Sequence, residues 1–341
     1  MRAGAMPTTT AAPDAEGRWA DGPLQYVLGR SWLPSSLVLR FCTDRDVRAL
    51  RRVCTHLHIG VGSHIVDIDA SHRGDAVRDR HVHQFARYHP RMRSLSIAGT
   101  GVTSITALQS ATALLALNIS DTLVRSLSAL SSCPRLQDLQ AAGCTQIQSV
   151  DALASCPALR HVNLRRTRVY DITALGFCPA IVHVNLRDAP VADIAALGHC
   201  TRLTYLDLQD TNCTDLAALS SCPLLQWLCI RGTRVADLGP LQHCPVLQVL
   251  NARDTRVDDV EPLVHCVALV KVNLHGTLVD DLLPWALHCP RLEMLDVSRT
   301  PVHDVDPLIS APALKTLNVV GSRVTTIVQL TTHRPDLTIN L

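Results

Sequence analysis

Eight cysteines set the strongest constraint on how this chain can fold. Cys133, Cys156, Cys178, Cys200, Cys222, Cys244, Cys266 and Cys289 follow one another at steps of 23, 22, 22, 22, 22, 22 and 23 residues, and six are followed by Pro. The phase runs back through Ala111 and His89 and forward to Ala311 and Arg334, giving 11 units from 89 to 333 and a truncated twelfth. Residues 156 to 177, CPALRHVNLRRTRVYDITALGF, show the pattern C-P-x-L-x-x-V/L-x-L-x-x-T-x-V-x-D-I/L-x-x-L. A unit this short cannot bury its own apolar face, so successive units must stack on one another.

The pattern resembles a leucine-rich repeat, most closely the 22-residue class of internalins and phosphatase-regulator repeat proteins, over residues 89 to 341. The resemblance implies an α/β solenoid: an arc of about 11–12 coils with a parallel concave strand per coil and a short convex helix or 3₁₀ turn, closed by a helical N-terminal cap. The residues agree, because apolar and polar positions alternate through Val162-Asn163-Leu164 as in a strand with one buried face. Only 3% of the chain is aromatic although 47% is hydrophobic. Leu stacked on Leu at about 4.8 Å strand spacing needs no bulkier filler.

Two further ladders run at the repeat period, and they and the cysteines each have a structural explanation. Thr100, Thr122, Thr145, Thr167, Thr211, Thr233, Thr255, Thr277 and Thr300 stand where such repeats often carry Asn, which predicts hydroxyls bonding turn backbone of the next coil. Asp171, Asp193, Asp215, Asp237, Asp259, Asp281 and Asp304 precede the convex turn and are placed as N-caps. The ladder cysteines read as small buried hydrophobes, since no C-x-x-C spacing marks a metal site.

The positions between the buried Leu residues are free to vary. The central concave position, from Ser96 to Asn318, is mostly a small polar floor. Two residues earlier, the middle coils offer His161, His183, Tyr205 and Trp227, while the ends carry Ser94, Ala116, Met294 and Thr316. Two residues later stand Arg165, Arg187, Arg231, Arg253 and His275. Tyr, Trp and Arg are enriched at interface centres. This strip is therefore the candidate site for a protein partner of acidic or mixed charge, tempered by Asp207 and Asp210.

Residues 1–23 read as a disordered leader, with no apolar stretch of a secretory signal. Residues 24–88 lose the repeat phase and hold ten Arg against six Asp. Leu33, Leu37 and Phe41 share a helical face, and a second helix is expected from about Asp44. The run 65–69 alternates like an irregular strand, and 76–88 like a helix leading into the first regular repeat. The stretch 32–61 resembles an F-box, through Leu33, Pro34 and Leu37 and then Asp46, Leu50, Val53, Cys54 and Leu57, although the usual Trp near the end of that motif is missing. The resemblance implies that Leu33, Pro34, Leu37, Leu50, Val53 and Leu57 dock a Skp-type adaptor of a cullin–RING ubiquitin ligase. A helical cap over the first coil accounts for the same residues.

A net charge of +2, from 32 basic and 30 acidic residues, argues against a nucleic-acid partner. No apolar run is long enough to span a membrane. No phosphate-cradling Gly loop, G-x-S-x-G or H-E-x-x-H occurs, so neither enzyme activity, cofactor nor metal is expected. The expectation is a cytoplasmic, non-enzymatic interaction scaffold, monomeric outside its complex. The alternatives are an F-box substrate receptor and, from the repeat subclass, a phosphatase-regulator-type subunit.

Overall fold

A computed structural model describes residues 67–71, 74, 76–283 and 288–341. The chain divides into two units, 1–39 and 40–341, and every described residue belongs to the second. The two expected helices and the F-box-like positions of 32–61 lie outside the described residues.

Thirteen three-residue strands form one parallel sheet in chain order. They are β1 (Asp67–Asp69), β2 (Ser94–Ser96), β3 (Ala116–Asn118), β4 (Asp138–Gln140), β5 (His161–Asn163), β6 (His183–Asn185) and β7 (Tyr205–Asp207). The series continues with β8 (Trp227–Cys229), β9 (Val249–Asn251), β10 (Lys271–Asn273), β11 (Met294–Asp296), β12 (Thr316–Asn318) and β13 (Thr338–Asn340). The sheet is open and does not close on itself. Five-residue 3₁₀ turns such as Thr173–Phe177 and Ala217–Ser221 return the chain on the other side. Helix α1 (Asp79–Tyr88) stands in place of that turn between β1 and β2, where the sequence predicts a helix. The Asp79 carboxylate ties it to the next coil by accepting the Thr103 and Ser104 backbone N–H groups at 2.7 and 3.1 Å.

Register is fixed residue by residue. Leu206 pairs with Leu228 and Leu228 with Leu250, so the inward side chains of successive strands stack. Leu117, Leu139, Val162, Val184, Leu206, Leu228, Leu250, Val272, Leu295 and Leu317 make one such column, none more than 2% exposed. The ladder cysteines are buried and form no disulfide. They also do more than fill space: Cys178 and Cys266 donate Sγ–H to the carbonyls of Leu153 and Leu241, each 25 residues back, at 3.2 Å. That contact joins each coil to the one before it.

The Asp ladder stands one residue before the N-cap positions, which Ile, Leu or Val occupy, and accepts the first N–H of the convex turn from there. Asp193 Oδ1 accepts the Ala195 N–H at 2.7 Å, and Asp171, Asp215, Asp237, Asp259, Asp281 and Asp304 repeat the bond to the residue two further on. Ser104, Ser126 and Ser149 do the same in the earlier coils, a role the Asp pattern alone does not reveal.

The Thr ladder corrects the sequence expectation. Apart from Thr145, each hydroxyl donates within its own coil, to the carbonyl three residues back, as Thr211 does to Leu208 at 2.7 Å, and not to the backbone of the next coil. Thr has one hydroxyl proton, and the nearest carbonyl takes it. Thr145 is exposed and leaves the ladder, because its 23-residue coil places Cys144 in the buried slot. The Cys144 thiol bonds the Ile119 carbonyl at 2.9 Å instead.

The residue before each ladder position adopts a left-handed backbone, from Asp121 through Gly143, Arg166, Asp188, Asp210, Gly232, Asp254, Gly276 and Arg299 to Gly321, with φ between +54° and +72°. At Gly143 and Gly232 the Asp of the preceding coil fills the space that a Cβ would need. A Cβ built on Gly232 would lie 2.2 Å from Asp210 Oδ1, and one on Gly143 would lie 2.1 Å from Asp121 Oδ1. Gly232→Ala should therefore lower stability in urea denaturation by at least about 1–2 kcal/mol, the cost of a left-handed non-glycine residue. Gly198→Ala, whose nearest neighbour is an ordinary 3.6 Å away, should leave stability unchanged or raise it by up to about 1 kcal/mol. Equal losses at both positions would refute the steric account.

Candidate concave binding face

In β5–β8 the first and third residues of each strand turn away from the Leu column and onto the concave face. Parallel register then places equivalent side chains side by side: His161 pairs with His183, His183 with Tyr205, and Tyr205 with Trp227. The spacing between strands suits ring on ring. His183 and Tyr205 stack with centroids 3.9 Å apart and planes inclined by 13°, and Tyr205 and Trp227 at 4.2 Å and 5°. His161 leans against His183 at 6.2 Å and 55°. Each close pair contributes about 0.5–1.5 kcal/mol beyond the area it buries.

This row is less open to solvent than the alternation suggests. Tyr205 is only 5% exposed. His183 Nε2 is buried without a hydrogen-bond partner among the described residues. Burial, and then the neighbouring His161, push the His183 imidazole down to about 3, so it is neutral at ordinary pH. At the outer end, His161 Nδ1 lies 3.6 Å from Asp138 Oδ2.

The central position is structural first. Asn163, Asn185, Asp207, Asn251 and Asn273 each accept the N–H of the residue two further on, at 2.9–3.2 Å, closing a turn at the end of the strand. Asp207 is the charged member of this buried run. Burial raises its carboxyl to about 6, against the opposing pull of the Gln209 N–H and of Arg187 and Arg165. Cys229 follows it in the next coil, fully enclosed, its thiol pushed well up by burial and by Asp207. Such a thiol is not a nucleophile.

Two of the predicted arginines meet at one carboxylate. Arg165, Arg187 and Arg166 place Nε 3.8, 3.5 and 3.4 Å from Asp188 Oδ2. Partly exposed pairs of this kind add little stability, but they gather three guanidinium groups around one negative charge. Sequence periodicity did not single out Arg166 or Asp188, because both occupy the left-handed position, where the repeat pattern calls for Gly or Asp on backbone grounds. Further along, Arg253 Nε pairs with Asp254 Oδ2 at 3.0 Å. His275 Nδ1 is 2.6 Å from Ser298 Oγ, and burial, with Arg253 beside it, lowers its basicity. The structure thus unites His161, His183, Tyr205 and Trp227 in one row and Arg165 with Arg187. Arg231, Arg253 and His275 lie in the following coils.

No protein-family model matches the chain, and no curated protein matches it in sequence. Solved structures do match in shape. An internalin, InlF, of Listeria monocytogenes superposes with a TM-score of 0.74 at 17% identity, covering 93% of this chain and 92% of that one. The fold is a leucine-rich-repeat solenoid. The functional domain of InlJ from the same bacterium, described as including a cysteine ladder, gives 0.62 at 19% identity over 73% of this chain and 53% of that one. A plant peptide hormone receptor, RGFR1, in complex with RGF2, gives 0.64 at 14% identity over 77% and 45%. Among the described residues of this leucine-rich-repeat chain, no helix is long and apolar enough to cross a membrane, and no group of three or more His, Cys, Asp or Glu is placed to hold a metal ion.

Asp207 gives the face a pH signature. Its folded carboxyl titrates near 6 against an ordinary value of 3.8, so the folded state holds a proton that the unfolded state releases between those values. Stability from this group is complete below about pH 4 and lost as pH rises through about 6. Asp207→Asn keeps the bond to Gln209 N–H and cannot ionise. The variant should match the wild type near pH 3.5 and exceed it by roughly 2–3 kcal/mol at pH 8, taking about 1.4 kcal/mol per pKa unit. A stability difference that does not change with pH would contradict this assignment.

Proposed function

We propose that this leucine-rich-repeat chain is a non-enzymatic interaction scaffold that grips a protein partner on the concave face of its middle coils, β5–β9. The observation that carries the proposal is the concentration of the stacked His183–Tyr205–Trp227 rings and the Arg165–Arg166–Arg187 cluster in adjacent coils. The equivalent positions at both ends hold Ser94, Ala116, Met294 and Thr316. Rigid aromatic rings contribute large contact area with few torsions to freeze, and arginine supplies planar donors for carboxylates. A scaffold whose only task was to hold itself together would have no use for this asymmetry, since the buried strand column of Leu and Val runs from β3 to β12 without a break. The likeness in fold to a receptor solved with its peptide hormone supports the same direction.

Site-specific photo-cross-linking tests it. A benzophenone side chain placed at residue 161, 227 or 253 in the full chain should capture one common protein. The same group at residue 94 or 316 should capture little. The double variant Trp227→Ala, Arg231→Ala should lower recovery of that protein at least tenfold while the thermal unfolding midpoint moves by only a few degrees. Equal capture from the ends, or capture insensitive to the double variant, would overturn the proposal.

A further inference from the structure

The ring stack stops abruptly at Trp227. Its indole stacks on Tyr205 on one side, and the next residue in register is Val249, followed by Lys271. No ring contact covers the second face of the indole among the described residues, and Trp227, Val249 and Lys271 are all partly exposed. A valine rises one carbon beyond Cβ, whereas the indole stands well above it. Val249 is therefore a low step between two tall side chains two strands apart.

The dimensions of that step select what can occupy it. Strands one register apart are separated by about 4.8 Å, so Trp227 and Lys271 stand about 9.6 Å from each other. Rings on this face stack at 3.9 and 4.2 Å. One planar ring, and not two, fits over Val249 with the indole on one face and the Lys271 stem on the other. Charge is set by the neighbouring column. Arg253 is paired with Asp254 at 3.0 Å, while Arg231 and Lys271 make no ion pair with a described residue. The step is thus a slot floored by Val249 and walled by the indole, flanked by two cations that make no ion pair with a described residue.

We infer that Trp227, Val249 and Lys271 form a slot for a single aromatic side chain of the protein partner, with an adjacent carboxylate held by Arg231 and Lys271. The inference rests on the proposed concave protein-binding role and specifies what the partner presents: Tyr, Phe or Trp next to Asp or Glu. A nucleobase would fit the same width. A strand brings a phosphate at every nucleotide, whereas the slot offers only two cations beside the carboxylates of Asp207, Asp210, Asp254 and Asp296, so the structure favours a peptide that brings a single carboxylate. Selectivity comes from the pair of demands together, since cation–π contact with Lys271 and stacking on Trp227 both need a ring.

Val249→Trp is the decisive variant, because it continues the stack with the chain's own ring and fills the slot without removing any charge. The experiment selects a displayed library of random dodecamer peptides on the full wild-type chain, then measures affinities of the enriched peptides by fluorescence anisotropy. Enriched peptides should carry an aromatic residue beside an acidic one. They should lose at least tenfold in affinity on Val249→Trp, and again when their acidic residue is changed to its amide. The unfolding midpoint of Val249→Trp, measured in parallel, must stay within a few degrees of wild type; if it does not, Val249→Phe replaces it. Peptides that bind Val249→Trp as well as wild type, yet are lost on Arg187→Glu, would overturn the slot and leave the concave proposal standing. Absence of enrichment, or binding insensitive to both variants, would overturn the slot together with the concave proposal. Tighter binding of a single-stranded dodecamer oligonucleotide, blocked by Val249→Trp, would replace the peptide with a nucleic acid.

Discussion

Parallel register between coils is the constraint on which everything else in this structure depends. Each strand is only three residues long, and its backbone groups are satisfied by the strands on either side, as when Leu208 N–H donates to Cys229 O and Asp210 N–H to Arg231 O, both at 2.8 Å. A strand so short has no stability of its own. The register holds because each pairing places Leu, Val or Ile on another of the three in the column beneath. The same register dictates the outer face: once Leu206 stacks on Leu228, Tyr205 has no choice but to lie on Trp227. The ring stack is in this sense a consequence of the core.

Backbone needs explain most of the apparent conservatism along the repeat. The Thr hydroxyls, the Asp and Ser acceptors, the Asn and Asp floor and the left-handed Asp and Gly positions each serve one turn per coil. The cysteine thiols link each coil to the carbonyl of an earlier one. Burial pushes Cys178, Cys200, Cys222, Cys244 and Cys266 up to about 12, which removes them from thiolate chemistry. What remains after these duties are assigned is a small set of concave side chains without any backbone role. His183, Tyr205, Trp227 and the arginines belong to it.

The fold was legible in the sequence because a solenoid is built from local, repeated decisions: the cysteine spacing located the coils, and Val162-Asn163-Leu164 showed the strand within one. The His161–Trp227 row was legible for the same reason, since phase alone says which residues are neighbours across strands. Three features were not legible. The direction of the Thr bonds depends on which carbonyl lies nearest, and the one-residue insertion that evicts Thr145 in favour of Cys144 can be placed only when the turn is seen. The enclosure of Tyr205 and His183, and the raised carboxyl of Asp207, arise from neighbours in other coils that no single repeat encodes. Arg166 joined the cluster at Asp188 through a side chain leaving a left-handed backbone position, where sequence suggests only a turn.

The concave centre described here is preorganised: its rings are packed and its imidazole is held neutral before any partner arrives. Preorganisation of this kind lowers the ordering cost of binding. The most direct measurement is a pH titration of the His183 ring nitrogens by NMR in the unliganded full chain. His183 should remain neutral down to about pH 4, since burial in the stack pushes its imidazole down to about 3. Protonation of His183 near the ordinary value of 6.5 would show that the rings are not packed as described, and would contradict the account at its centre.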